Sequence, residues 1–481
     1  MLYHSTRGEK YRVDSAQAVL EGLAPDGGLY MPVSLPAFDW QKCLEGSSMD
    51  MATAILSALL PDIPDMPRLV KNAYTGKFQT KDLTPSVAVG DYRVLELFRG
   101  PTSAFKDVAL SMLPQLLTAA KTTKGMEKDI LILTATSGDT GKAALEGFHD
   151  VPGVRICVFY PDGGVSQVQR AQMVTQEGNN VAVCAVYGNF DDAQTGVKNI
   201  FAACRDKELP FALSSANSIN IGRLAPQIMY YFRAYKDLLA EGAIQMGDQV
   251  NFSVPTGNFG DILAGYLAKK LGLPVGKLIC ASNANNVLTD FIRTGTYDRR
   301  RPLYKTTSPS MDILVSSNLE RLLYLLSGDT GLVARLMNEL NTQGSYTVPA
   351  DLLEAIQGEF WAAFCDDARA DTVMHQVYHE KGYLCDPHTA AGFAAADDYI
   401  AQTGDKRPMV ILSTASPYKF PAAVLNAIGG DTSGSEFAQM ERLSQISGVP
   451  IPGNLSGLQG KKELHTGVIA KEAMLDYVLN L

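Results

Sequence analysis

The chain has 481 residues, 46% of them hydrophobic and 19% charged, with a net charge of −9 at pH 7 and a pI near 5.3. That balance describes a well-buried globular protein of two or three domains rather than a disordered one. It argues against a nucleic-acid-binding surface, and no apolar run reaches the roughly 18 residues of a membrane span. Residues 1–7 have neither the basic start and apolar core of a signal peptide nor room for a transit peptide, which predicts a cytoplasmic protein. Residues 1–80 carry more helix than strand signal and read as a separate N-terminal domain, with Pro61, Pro64 and Pro67 near its end. From residue 130 onward, strand-like runs at 130–134, 154–160, 181–186, 250–254, 277–281 and 409–414 alternate with amphipathic helices such as 192–204 and 225–240. This predicts an α/β fold with a mostly parallel sheet and helices on both faces. Gly429, Gly430 and Gly434 mark a surface loop that introduces a C-terminal helical tail, 431–481.

The seven cysteines are odd in number and have no paired spacing, so neither disulfides nor a zinc site is expected. Cys157, Cys184 and Cys280 fall inside apolar strand-like runs and read as small buried residues. His375 and His379 share a helical spacing, but Gln376 stands where the zincin pattern needs a glutamate, and no metal is predicted. Arg299, Arg300 and Arg301 form the one dense basic run, read as a solvated loop.

Chemistry concentrates in a few segments. Phe98-Arg99-Gly100-Pro101-Thr102-Ser103-Ala104-Phe105-Lys106-Asp107 places an amine directly after six uncharged residues. Gly100-Pro101 ends a strand, Asp107 opens an apolar helical run, and Lys106 is predicted as the last loop residue before that helix. An amine held among apolar neighbours loses the solvation of its charged form and becomes a nucleophile suited to a Schiff base. In isolation the plainer reading, a snorkelling surface lysine, is the favoured one.

A second segment, Thr256-Gly257-Asn258-Phe259-Gly260-Asp261, joins an apolar strand to a helix. Its glycines permit positive φ, and backbone N–H groups at a helix N-terminus can converge on an anion such as a cofactor phosphate. A plain capped turn is the alternative. A third, Thr136-Ser137-Gly138-Asp139-Thr140-Gly141-Lys142-Ala143, is not a P-loop, because Thr136 and Ala143 replace the glycine and hydroxyl residue that motif requires. Ser137 and Thr140 there form either a seat for a substrate carboxylate or a simple helix start.

These segments, together with Tyr3-His4-Ser5-Thr6-Arg7-Gly8, Asp26-Gly27-Gly28-Leu29-Tyr30, Asn217-Ser218-Ile219-Asn220-Ile221-Gly222-Arg223, the run from Ser310 to Arg321, Asp386-Pro387-His388 and Ser413-Thr414-Ala415-Ser416-Pro417, resemble the pyridoxal-phosphate-dependent threonine synthase family in its longer microbial and fungal form. The resemblance runs nearly end to end. It implies a fold-type II enzyme, similar to tryptophan synthase β, with two α/β subdomains enclosing a cleft. Residues 81–430 would form that catalytic region.

By the same resemblance, Lys106 holds pyridoxal 5'-phosphate, Gly257, Asn258, Phe259, Gly260 and Asp261 form its phosphate loop, and Thr414 meets the ring nitrogen. A hydroxyl can hydrogen-bond that nitrogen without protonating it; a hydroxyl capping the next turn is the plainer reading. Ser137 and Thr140 would take the substrate carboxylate; Asn217, Ser218 and Arg223 would take the leaving phosphate, arginine through its bidentate fork. Asp139 is expected near the ring, and His388 near the site, in a structural role ahead of the alternative of a base. The family's usual histidines are Arg99 and Ser416 here, and Tyr418 replaces a small residue. An extra guanidinium at Arg99 would either depress the Lys106 pKa or face solvent.

The implied reaction converts O-phospho-L-homoserine and water to L-threonine and phosphate, with Lys106 as the base. A dehydratase or phospholyase acting at the β-carbon, which would release a 2-oxo acid and ammonia, is the enzymatic alternative; a cofactor-holding scaffold is the non-enzymatic one. No nucleic-acid or membrane partner is expected, and the oligomeric state is open between monomer and dimer.

Overall fold

The computed structural model describes residues 1–136, 138–204 and 207–481, and the side chain at 191 also falls outside the description. At the N-terminus, strand Leu2–Ser5 lies between Gly8–Asp14 and Tyr30–Pro32 in an antiparallel three-stranded sheet. Helix Ser48–Leu59 follows from its pattern: Met51, Ala52, Ile55, Leu56 and Leu59 recur on one face and are buried. Its start is fixed by Ser47 and Asp50, whose side chains satisfy each other's backbone N–H groups. Helices Ser15–Glu21 and Met66–Tyr74 pack on the long helix Lys106–Thr123, so the N-terminal region rests on the element that carries the candidate lysine.

The alternating strands do not form one sheet. A six-stranded sheet runs in the order Phe360–Phe364, Val275–Ser282, Val250–Pro255, Met409–Ser413, Tyr92–Glu96, Ser86–Val89. Its first five strands are mutually parallel and the last is an antiparallel edge. A five-stranded, all-parallel sheet runs Val468–Ile469, Val181–Val186, Val154–Pro161, Asp129–Ala135, Phe211–Ser214. Every residue of Val250–Pro255 and Met409–Ser413 is buried, as expected of parallel strands covered on both faces. Periodicity reports that a strand is buried on two sides but not which sheet it joins, so the division was not readable from it.

Alternation sorts the five-stranded sheet between two cores. Ile130 and Ile132 face the large central core, while Leu131 and Leu133 face a smaller one with Val197 and Val478, under helices Phe190–Cys204 and Met474–Leu479. The segment 431–481 is therefore not only helical: besides Glu436–Ser447 and Met474–Leu479 it supplies the strand Val468–Ile469, paired in parallel with Val181–Val186. Among the described residues, no helix is long and apolar enough to cross a membrane.

Candidate active site

Three neighbouring strands of the six-stranded sheet, Tyr92–Glu96, Met409–Ser413 and Val250–Pro255, send their carboxyl ends into the three candidate segments. The carboxyl edge of a parallel sheet is where ligands of open α/β folds bind. The chain from residue 97 to 105 is stitched onto 413–416: Leu97 N donates to Ser413 O at 2.9 Å, Phe105 N to Thr414 O at 2.8 Å, and Ser416 N to Ser103 O at 3.1 Å. Thr414 is buried directly beyond its strand. Ser103 has φ of 61°, a sparsely populated region for a side chain with a Cβ. The turn is held by these bonds and by Asn454, whose amide donates to Pro101 O at 2.7 Å and to Ser103 Oγ at 2.9 Å. Asp107 folds back to accept from Thr102 N, and a Cβ on Gly100 would lie 2.5 Å from the Asp107 Cβ. Only glycine fits there.

Lys106 is the first residue of helix Lys106–Thr123, not the last of the loop, because Phe105 already adopts helical dihedrals. Its amine is buried, donates to Ser310 Oγ at 3.2 Å and lies 4.0 Å from Asp139 Oδ2. Burial pulls its pKa down to about 8; Asp139 opposes that shift, and Arg223 and Lys419 reinforce it. Asp139 opens helix Asp139–Phe148 at the carboxyl edge of the five-stranded sheet, so the contact with Lys106 joins the two sheets. Burial pushes the Asp139 carboxyl up, but Lys419 and Lys106 outweigh that and hold it below the usual carboxylate range.

The 257–261 loop closes on the same place. A Cβ on Gly257 would fall 2.6 Å from Ser310 O, so this loop and Lys106 flank one segment, 308–312. Its carbonyls are occupied: Gly257 O accepts from Ser316 Oγ at 2.8 Å, and Asn258 O from Asn318 N at 3.1 Å. Among the described residues, the backbone N–H groups of Gly257, Asn258, Phe259 and Gly260 donate to no protein acceptor. Phe259 takes the left-handed conformation, φ 61°, immediately before helix Gly260–Lys270. Beside Gly260 stand Asn318, Ser218 and Gln227. Asp261 turns the other way: its Oδ1 accepts from Tyr230 at 2.6 Å and Tyr231 at 3.0 Å, and burial raises its pKa to about 7 against those two hydroxyls.

Arg223 is buried in the short helix Ile221–Leu224, donates to Ala216 O, and has no carboxylate partner among the described residues. Burial lowers its pKa to about 10. Ser218 lies 3.5 Å from Ser317 by their hydroxyls, and the Asn217 carbonyl accepts from Asn220 N. Thr140 is half-buried in the first turn after Asp139, in a turn organised by Thr136 Oγ1, which accepts from Gly138 N and Gly141 N. Ser137, the other expected carboxylate-seat residue, lies outside the described residues.

Arg99 does not face Lys106. Its guanidinium pairs with Glu96 at 2.6 Å and reaches Gln79 at 3.3 Å. Ser416 Oγ accepts from Tyr418 N, and the Tyr418 hydroxyl donates to Val449 O. His388 sits behind the site: its Nε2 accepts from Ser310 N at 3.2 Å, which leaves the proton on Nδ1, donated to Asp386 at 2.6 Å. Sequence reasoning named Ser310 and Asn318 only as part of a resembling run, with no role, and missed Gln169, Gln227 and Lys419. Lys419 is entirely enclosed and pairs with Asp139 at 2.6 Å; the signal was a lysine five residues beyond Thr414, between Tyr418 and Phe420.

Residues 90–415 match the family model for pyridoxal-phosphate dependent enzymes, residues 2–74 that for the threonine synthase N terminus, and residues 389–469 that for the threonine synthase C-terminal region. Threonine synthase from Saccharomyces cerevisiae is 39% identical over 89% of each chain. Threonine synthase-like 1 from Homo sapiens is 39% identical over 86% of this chain, which spans only 58% of that relative's length. A solved structure described as PLP-bound threonine synthase from Brucella melitensis superimposes with a TM-score of 0.89 at 38% identity, covering 100% of this chain and 99% of that one. The fold is that of fold-type II pyridoxal-phosphate enzymes, and the chain belongs to the threonine synthase family.

Proposed function

We propose that the protein converts O-phospho-L-homoserine and water to L-threonine and phosphate, acting in the cytoplasm on this small-molecule substrate with pyridoxal 5'-phosphate as cofactor. The observation that carries the reading is the convergence of a buried amine of lowered pKa, a loop of undonated backbone N–H groups and a buried hydroxyl at the ends of three adjacent strands. The donor set fits the cofactor. The N–H groups of Gly257, Asn258, Phe259 and Gly260, which donate to no protein acceptor among the described residues, stand at the start of helix Gly260–Lys270 and suit a phosphate dianion. Thr414 offers a neutral partner to a ring nitrogen, and Lys106 an amine reactive near neutral pH. Lys106 would hold the cofactor covalently, Gly257 to Gly260 its phosphate and Thr414 its ring. Asp261 contributes from beneath, by fixing the loop's helix to Tyr230 and Tyr231.

When bound, the cofactor supplies an electron sink for charge developing at the substrate's α-carbon. The protein's own groups do the rest. Lys106 is the positioned base for the α-proton and, once that proton has been passed on and the amine is neutral again, for the β-proton. Loss of the β-proton lets phosphate leave the γ-carbon, with Arg223, Asn217 and Ser218 holding it. Water adds at the β-carbon, and protons return to the γ-carbon, which becomes the methyl group, and to the α-carbon. Thr140, in the first turn of helix Asp139–Phe148, seats the substrate carboxylate, with Ser137 as the second residue that the family resemblance assigns to it.

The test is an assay of the cofactor-loaded chain with O-phospho-L-homoserine. Threonine and phosphate are expected in equal amounts. Release of a 2-oxo acid and ammonia instead would overturn the reading in favour of a dehydratase.

A further inference from the structure

Lys419 is among the most enclosed charges in the molecule, with no solvent exposure, in the turn Pro417–Lys419 beyond Thr414. Its ammonium lies 2.6 Å from Asp139 Oδ1 and donates to Thr102 O at 3.2 Å. The same Asp139 oxygen accepts from Gln169 at 3.0 Å. Two donors thus occupy Oδ1, and the second oxygen, Oδ2, is left facing Ser310 Oγ at 3.4 Å and Lys106 at 4.0 Å. Lys419 comes from the six-stranded sheet, Asp139 from the five-stranded one, and Thr102 from the turn before Lys106.

We propose that Lys419 is a positioning residue of the Lys106 site: by binding one oxygen of Asp139 it fixes the other toward Lys106 and sets how tightly that amine holds its proton. The inference rests on Lys106 being the reactive amine. A buried carboxylate alone beside Lys106 would bind the amine as a full ion pair and keep it protonated. With Lys419 in place, the carboxylate is already neutralised and serves as an orienting acceptor. The charged groups facing Lys106 are Asp139, Arg223, Lys419 and Asp107; His388 and Asp386 lie behind Ser310. Of the four, Lys419 and Asp139 alone are locked to each other.

The test is a pH titration of the visible absorbance of the holoenzyme, whose midpoint reports the proton on the Lys106 nitrogen, run beside the pH profile of kcat/KM. Lys419→Met should move the midpoint up by about one unit, a tenfold tighter hold on the proton. Asp139→Asn should move it down by a similar amount. The double variant, which removes both charges, should return to within about 0.3 units of wild type. A purely structural role for Lys419 would lower cofactor content without opposite displacements. Identical midpoints in wild type and Lys419→Met, or displacements of the same sign in the two single variants, would overturn the proposal. Should the single variants fail to fold, the charge-balanced double variant decides: a midpoint about one unit or more from wild type rejects it. A wild-type chain that binds cofactor but forms no threonine would remove the proposed reaction while leaving the spectral comparison valid.

Discussion

The carboxyl edge of the six-stranded sheet brings an amine, a row of backbone N–H groups and a hydroxyl to the site; the edge of the five-stranded sheet brings a carboxylate. The first edge is rich in donors and suits anions; Arg223, which follows strand Phe211–Ser214 of the second sheet and has no carboxylate partner among the described residues, lies near enough to Lys106 to act on its amine. The second offers one acid, already tied to a lysine that reaches across from the first sheet. On the proposed function the six-stranded edge would hold the cofactor, while the five-stranded edge would orient the amine through Asp139 and, through Asn217, Ser218 and Arg223 beyond its strand Phe211–Ser214, take the leaving phosphate.

The sharpest way to break this division is Lys106→Ala. Turnover should fall by about 10³-fold or more, with loss of the visible cofactor absorbance; a variant retaining both would remove this lysine from the site. Arg223→Ala should raise KM about 10- to 100-fold, the scale of a lost charge-assisted hydrogen bond, while cofactor absorbance stays. Equal loss of cofactor would mean that the arginine belongs to the cofactor's seat instead. The rate at which cofactor-free protein captures the cofactor should climb about tenfold per pH unit and level off above about 8, where the Lys106 amine is free. A rise that continues at about tenfold per unit from pH 8 to 10 would contradict a lowered pKa.

Asp261 gives a smaller effect with a defined sign. Its folded pKa, about 7, lies above the ordinary carboxylate value of 3.8. The folded state therefore holds an extra proton between those values, and stability present at low pH is lost as pH rises through about 7. Asp261→Asn should keep an acceptor for Tyr230 and Tyr231 and flatten that decline by about 1–3 kcal/mol in thermal unfolding. An unchanged pH dependence would place the titration elsewhere. Asn454→Ala should be the mildest, at about 1 kcal/mol, with a modest fall in kcat as the Ser103 turn loosens.

Much of this was legible in the chain because it is local. Lys106, the glycine loop and Thr414 are each marked by a strand ending in a turn, and each proved to lie at a strand's carboxyl end. What was not legible depends on tertiary neighbours. The direction of Arg99 is set by Glu96, three residues away but held in a strand. The carboxylate of Asp261 is claimed by tyrosines about 30 residues earlier, inside a helix with no motif of its own. Lys419 looks like any lysine until the fold encloses it. The split into two sheets escaped periodicity for a similar reason, since pairing partners such as Asn251 and Met409 are 158 residues apart.

The short strand Val468–Ile469 covers the outer side of Val181–Val186. Until those two residues emerge during synthesis, a buried apolar strand of the nascent protein presents a row of unpaired amide groups, a template for adhesion between neighbouring chains. Truncation ahead of residue 468 should therefore show itself first as aggregation, and only afterwards as lost catalysis.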